Sequence, residues 1–365
     1  MKLNKLLLIL VLTVVFAGAA FFLSNKETQQ TTDDEAGKVY LSNLVQRIND
    51  VNEVDIIQKN MQSHLEKISG QWVLKEKNNY PADFSKIKKL LLDLNNLKTV
   101  EAKTARPEKY GELGVQGVDK PGETKSSRVD LLDKSGNKID SIIIGKTRSG
   151  PRGGTPGLYV RKSSDAKSWL VSGSVSLPFS YEDLLDRKII DIKSDNIKKM
   201  SFTHADKAYL VMEKQTEKDK TFKIDNLPHS KVAKPASTLN RIATALQNLT
   251  LRDVQTKTGF AVDDKKVSKA QYETFDGLVV NITVVEKNKK YYLLLDVKST
   301  NAKSKDKAAK LEDHLSNWVY EVEDFKAKAF EPQLKDLVED QKKVEPKRKA
   351  DNKLNHSTKV EEKKK

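Results

Sequence analysis

The chain has 365 residues, 37% of them hydrophobic and 32% charged, so it is long enough for two domains, with apolar residues that cluster into core-forming segments. It has no cysteine, which excludes disulfides, cysteine nucleophiles, thiolate metal sites and thiol-linked lipid anchors. The formal net charge is +15, of which +6 lies in Gln341–Lys365, where ten Lys/Arg face four Asp/Glu. Such a balance favours solubility and attraction to phosphate, anionic lipid or anionic polymer, and carries no information about fold.

Residues 1–5 form a basic n-region with Lys2 and Lys5. Residues 6–23, LLLILVLTVVFAGAAFFL, then run 18 positions without a charge. As a helix the run rises about 27 Å, at roughly 1.5 Å per residue, just enough for a hydrocarbon core of about 30 Å. It is apolar on every side, with Leu6, Leu10, Val14, Phe21 and Leu23 spread along it, so it reads as one transmembrane helix and not as an amphipathic soluble one. Lysines precede it and Asp33, Asp34 and Glu35 follow, so the positive-inside rule puts the N-terminus in the cytoplasm and the body in the periplasm, as a single-pass protein of the inner membrane. The rival reading is cleavage near Ala19, at the small-residue pattern Ala17-Gly18-Ala19, with release of the body to the periplasm. Against cleavage, Phe21, Phe22 and Leu23 carry the apolar run beyond that point. Residues 24–37 are polar and read as a flexible linker.

The body reads as two tandem α+β repeats, residues 38–192 and 193–340. Ile87, Leu90, Leu94 and Leu97 recur 152 residues later as Leu239, Ile242, Leu246 and Leu249, a 3, 4, 3 spacing that marks one face of a helix. Ser85 and Ser237 (or Thr238) are the expected N-caps. Val54–Ile57 parallels Ile197–Met200, Gln71–Leu74 parallels Thr221–Ile224, and Trp169–Val171 parallels Trp318–Tyr320. A hairpin over Val129–Ile144 is matched to Val280–Leu295, with turn residues at Ser135-Gly136-Asn137 and Lys287-Asn288-Lys289. Short helices near Tyr181–Asp186 and Glu331–Asp340 close the repeats. Clustered strands joined by tight turns argue for mainly antiparallel sheets with helices on one face. Trp72, Trp169 and Trp318 fall on strands and read as core anchors. Residues 341–365 are lysine-rich with almost no apolar content and are expected to be disordered, solvated or lying on anionic lipid.

The segment Gly145–Gly157 is the strongest chemical signal. Lys146, Arg148, Arg152, Gly153 and Gly154 make it a candidate for anion or partner contact on a hairpin loop between strands 142–144 and 158–160. Gly145-Lys146-Thr147 resembles the end of a P-loop, but the glycine required five positions earlier is Asp140, and Gly150-Pro151 cannot open the helix such a loop needs. His64, His204, His229, His314 and His356 show no metal spacing and read as surface or packing residues. Asp33-Asp34 and Asp263-Asp264 read as solvated loops. No nucleophile elbow, dinucleotide fingerprint or nucleic-acid pattern is present, so no catalytic residue, cofactor or metal is assigned and nucleic acid is not an expected partner.

Trp72-Val-Leu74, Tyr80-Pro-Ala-Asp83 leading into the 87–97 helix, Tyr110-Gly-Glu-Leu-Gly-Val115, Ile144-Gly145 and Gly157-Leu-Tyr-Val160, in that order behind the anchor, resemble the bacterial family called domain of unknown function 4340, over roughly residues 40–340. That resemblance implies an envelope accessory role beside subunits of an ABC-type export system related to gliding-motility transporters, and supplies no catalytic residues. The function expected is a non-catalytic periplasmic accessory or scaffold protein associated with ABC-type transport. The alternatives are a binding module for anionic envelope polymer or lipid headgroups, and a hydrolase with an unrecognised site.

Overall fold

The computed structural model describes residues 35–118, 126–149, 156–263 and 266–341. The expected anchor at 6–23, the linker up to residue 34, and the tail from residue 342 lie outside the described residues. Among the described residues no helix is long and apolar enough to cross a membrane. The architecture is α+β: mainly antiparallel sheets with several helices. The chain divides into two compact units, Ile190 being the first residue of the second. The cut does not follow the chain throughout, because Thr250–Phe260 and Asn317–Val322 cluster with the first unit.

The first unit runs α1 (Ser42–Arg47), β1 (Val51–Gln58), β2 (Met61–Ile68), β3 (Gln71–Leu74), β4 (Tyr80–Pro81), α2 (Phe84–Asn95), β5 (Lys98–Ala102), α3 (Tyr110–Leu113), β6 (Ser127–Asp133), β7 (Lys138–Arg148), β8 (Gly157–Lys162) and β9 (Ser168–Ser172). One nine-stranded sheet takes the order β4-β3-β2-β1-β6-β7-β8-β9-β5, antiparallel at every step. The β2–β3 turn places Ser69 and Gly70 at φ 50° and 87°, the positive values a two-residue hairpin turn requires. Strand β7 lies inside the sheet, and its run Ile139–Ile144 is buried on both faces, four isoleucines with Asp140 and Ser141 as buried polar members. Asp140, on that strand, accepts from Leu44 N at 2.9 Å and so caps α1 from 96 residues away; its burial raises the carboxyl pKa.

Helix α2 buries Ile87, Leu90, Leu91 and Leu94, as the spacing predicts. Its cap is Asp83, which accepts from Ser85 N at 2.9 Å. The expected cap, Ser85, therefore lies inside the helix as its second residue, and its own N–H is one of the orphan donors that the Asp83 carboxylate satisfies.

The chain continues through β10 (Lys188–Ile190), β11 (Ile197–Thr203), β12 (Tyr209–Glu213), β13 (Lys223–Ile224), β14 (Lys231–Ala233), α4 (Ala236–Ala243), β15 (Leu249–Thr250), β16 (Asp253–Thr256), β17 (Val267–Thr274), β18 (Leu278–Lys287), β19 (Lys290–Ser299), α5 (Lys305–Leu315), β20 (Trp318–Val322), α6 (Asp324–Lys328), α7 (Leu334–Leu337) and β21 (Val338–Asp340). In the second unit β13-β12-β11-β17-β18-β19 follow one another as antiparallel neighbours, and β14 pairs with β21. The β16–β20 ladder belongs to the first unit. Helix α4 starts at Ala236 behind Pro235 with no side-chain cap, so neither Ser237 nor Thr238 plays the expected capping part. Its buried Leu239 and Ile242, with Leu246 and Leu249 beyond, keep the predicted face. Tyr272 of β17 stands beneath this helix, donating to Ile242 O at 3.3 Å and meeting the rings of Phe202 and Phe330 edge-on, both at 5.9 Å.

The strand patterns of the two units agree closely. Strands β1 and β11 each follow a 3-10 turn, share the opening burial pattern of buried, two half-buried, buried, half-buried, buried, and carry a bulge at the same place, Val51/Glu53 and Ile197/Lys199. This sets Val51 opposite Ile197, three residues from the register read in the sequence. The hairpin match also needs correction. Strand β6 pairs with β1 and β17 pairs with β11, so the 129–144 hairpin corresponds to β17–β18 and not to residues 280–295. In a meander each hairpin shares a period-two pattern with the next, so a slip by one strand leaves the apolar match nearly intact.

Candidate functional site

The β7–β8 hairpin carries the residues singled out by charge. Gly145 sits against the α3 turn, where an added Cβ would run into the Leu113 carbonyl and stand 2.8 Å from Gly114 O and from Val115 Cγ1. Gly114 ends α3 at φ 70°. The Tyr110–Val115 stretch packs on Ile143, with Tyr110 Oη donating to Ala166 O at 2.5 Å and the Arg161 guanidinium 4.6 Å over the Tyr110 ring. Lys146 donates to Glu112 O at 2.6 Å, so its ammonium ties the strand to α3. Arg148 is exposed at the strand end, and Arg152, Gly153 and Gly154 lie outside the described residues.

His64 is part of a polar cluster between β1 and β2. Its Nδ1 contacts the Asp55 carboxylate, its Nε2 lies 3.9 Å from Glu53, and its backbone N donates to Glu76 at 3.0 Å. Among the described residues no group of three or more His, Asp and Glu is arranged to hold a metal. Trp72 and Trp169 are buried, and Trp318 meets Tyr80 edge-on at 4.9 Å. Lys77 lies between Asp253, at 2.6 Å, and Glu182, at 3.2 Å. Burial pulls the Lys77 pKa down, but these two hydrogen-bonded carboxylates outweigh it and leave it raised.

Each unit has a concavity between its main helix and the segment that follows a Trp strand. In the first, about 330 Å³ is lined by Leu65, by Ile87 and Leu90 of α2, and by Leu177, Phe179 and Leu184. Phe179 is 96% exposed. In the second, the cavity measures about 1200 Å³. Its floor continues the covered face of the sheet: Met200 and Phe202 on β11 lead to His204, and Tyr272 and Ala270 on β17 lead to Ser268. One wall is the C-terminal end of α4 with Arg241, Thr244, Gln247 and Asn248; the other is the 325–337 segment with Phe325, Gln333 and Lys335. Ser268 is 7% exposed and Phe325 is 70% exposed. His204 Nε2 lies 3.0 Å from Pro332 O, which commits that ring nitrogen as a donor to backbone. Among the described residues the side chains of Arg241, Lys335 and Ser268 have no partner.

Sequence reasoning missed this cleft. His204 carries no sequence signal beyond that of a surface or packing residue, and the lining comes from four separated segments without a motif. One signal was available: Phe325 is a lone aromatic between charged residues. The arrangement can hold a polar ligand, with hydroxyl, amide and cationic groups around one open ring face.

No curated protein and no solved structure matches the chain. A family model does, beginning at Trp72 of the Trp-Val-Leu strand and running through the α2 helix, the Tyr110–Val115 turn and the β6–β8 meander into β17. That match covers more than half of the residues, over a narrower span than the resemblance suggested, and by it the chain belongs to the family described as Domain of unknown function (DUF4340), matched over residues 72–271.

Proposed function

We propose that this protein is a non-catalytic accessory or scaffold subunit, tethered in the inner membrane by residues 6–23, with its body in the periplasm beside an ABC-type transport system. The observation that carries the reading is the uncharged 18-residue run between Lys5 and the acidic Asp33–Glu35, placed ahead of a folded body by a polar linker. The two units descend from one duplicated element; the common bulge, burial pattern and strand pairing of β1 and β11 support that descent. Membership of the family supports the transport setting only through the neighbourhood its members are expected to keep. Gentle crosslinking of intact membranes followed by purification of the full chain tests the role: transporter permease or auxiliary subunits co-purify if it holds, and their absence from the crosslinked material contradicts it.

The second reading, a binding module for anionic polymer or lipid headgroups, draws on Arg148, exposed at the end of β7, and on the basic composition of 342–365. Its binding falls steeply with salt. Salt-insensitive or absent binding to anionic vesicles and wall fragments removes it.

A further inference from the structure

We infer that the cleft of the second unit is a saccharide site, taking an oligosaccharide that carries a sparse acidic substituent; the inference goes beyond the tethering role and stands whether or not a transporter partner is found. Size comes first: about 1200 Å³ exceeds the roughly 300–1000 Å³ of ordinary small-molecule pockets, so the cleft suits a segment of several sugar units. Phe325 offers the second argument. Its ring is 70% exposed at the cleft, with the Lys326 ammonium 6.0 Å from its centroid, and an exposed aromatic face is the surface on which the C–H face of a pyranose packs.

The polar lining completes the fit. The amides of Gln247, Asn248 and Gln333 have no side-chain partner among the described residues. An amide presents a donor and an acceptor together, and a sugar hydroxyl does the same. Ser268 brings a further hydroxyl to the floor, with no protein partner among the described residues, where it can donate to or accept from a sugar hydroxyl. Charge then narrows the class. Arg241 and Lys335 are unpaired cations, whereas Lys328 is held by Asp324 at 2.8 Å. Asp206, Glu331 and Asp336 also line the cleft, and this near balance of charge disfavours a dense polyanion while accepting hydroxyl donors. One or two carboxylates among neutral sugar units match both signs.

The test titrates the full chain in detergent with three probes by calorimetry: hyaluronan tetrasaccharide, which is acidic, chitotetraose, which is neutral, and tripolyphosphate. Binding of the hyaluronan tetrasaccharide is expected at a Kd of about 1 mM or below, with chitotetraose about tenfold weaker and no heat from tripolyphosphate. Phe325→Ala is expected to weaken both sugars about tenfold or more, and Arg241→Gln with Lys335→Gln to abolish the preference for the acidic one, at an unchanged melting temperature. Absence of binding by both sugars, sugar binding that survives Phe325→Ala, or displacement of sugar by tripolyphosphate at equal concentration overturns the proposal.

Discussion

The two meanders, β6-β7-β8 and β17-β18-β19, share their pairing and differ in what joins their strands. In the first unit β7 and β8 are separated by the glycine- and proline-rich segment 149–156, while β8 and β9 are joined by the short 163–167 turn. In the second, β18 and β19 meet through Asn288 and Lys289 at φ 54° and 61°, and the connection after β19 carries α5. The segments after the Trp strands differ in the same way: one borders a small apolar groove beside Phe179, the other a larger cleft of mixed lining, with amide, hydroxyl and charged groups, beside Phe325. The ladders are alike in the two units, and the differences lie in the connections, where a changed side chain disturbs no cross-strand pairing.

The largest test of the common frame is truncation of matched core leucines. Leu94→Ala and Leu246→Ala each remove a side chain with 0% exposure. Each variant is expected to cost about 2–5 kcal/mol in denaturant unfolding. A loss below about 1 kcal/mol at one site alone would break the equivalence of the two helices.

The next test isolates a feature of the first unit. Gly145→Ala forces a methyl group against the Leu113 and Gly114 carbonyls, whereas β18 carries no glycine. The expected cost is about 1–3 kcal/mol, read as a lower denaturant midpoint, and an unchanged midpoint would show that the α3 turn does not press on β7. Asp140→Ala comes third. It strands the Leu44 N–H that Asp140 caps, for an expected loss of about 1–2 kcal/mol, with α1 amides exchanging faster.

The smallest effect is one of pH. The Arg47 guanidinium, with Asn137 and Ser135 N–H groups, holds the Asp133 carboxyl down to about 2 from the usual 3.8. A depressed carboxyl contributes stability above its unfolded pKa and loses it as pH falls through the folded value. The contribution is therefore complete above pH 3.8 and disappears toward pH 2. Arg47→Gln should flatten the unfolding free energy across that window, and an unchanged slope would remove the ion pair from the account.

Much of the fold was legible because burial imposes a period. The 3, 4, 3 spacing located both helices, and the Trp and turn residues located the strands. Register was less legible, since a hairpin of period two resembles its neighbour, and cap positions depend on which side chain reaches an N–H first. The candidate site was barely legible. Lys146 looked available, but the fold turns it to Glu112 O. The cleft depends on Ser268 and His204 sharing a sheet face that the helical cover leaves open, a relation between residues far apart in the chain.

The most direct test of the central claim is a topology fusion. Alkaline phosphatase, which folds into an active enzyme only outside the cytoplasm, is joined after Lys365, and its activity and sedimentation are measured in fractionated cells. Activity that pellets with the inner membrane is the predicted result. An inactive fusion, with a cytoplasmic reporter at the same position fully active, would contradict both the tether and the compartment.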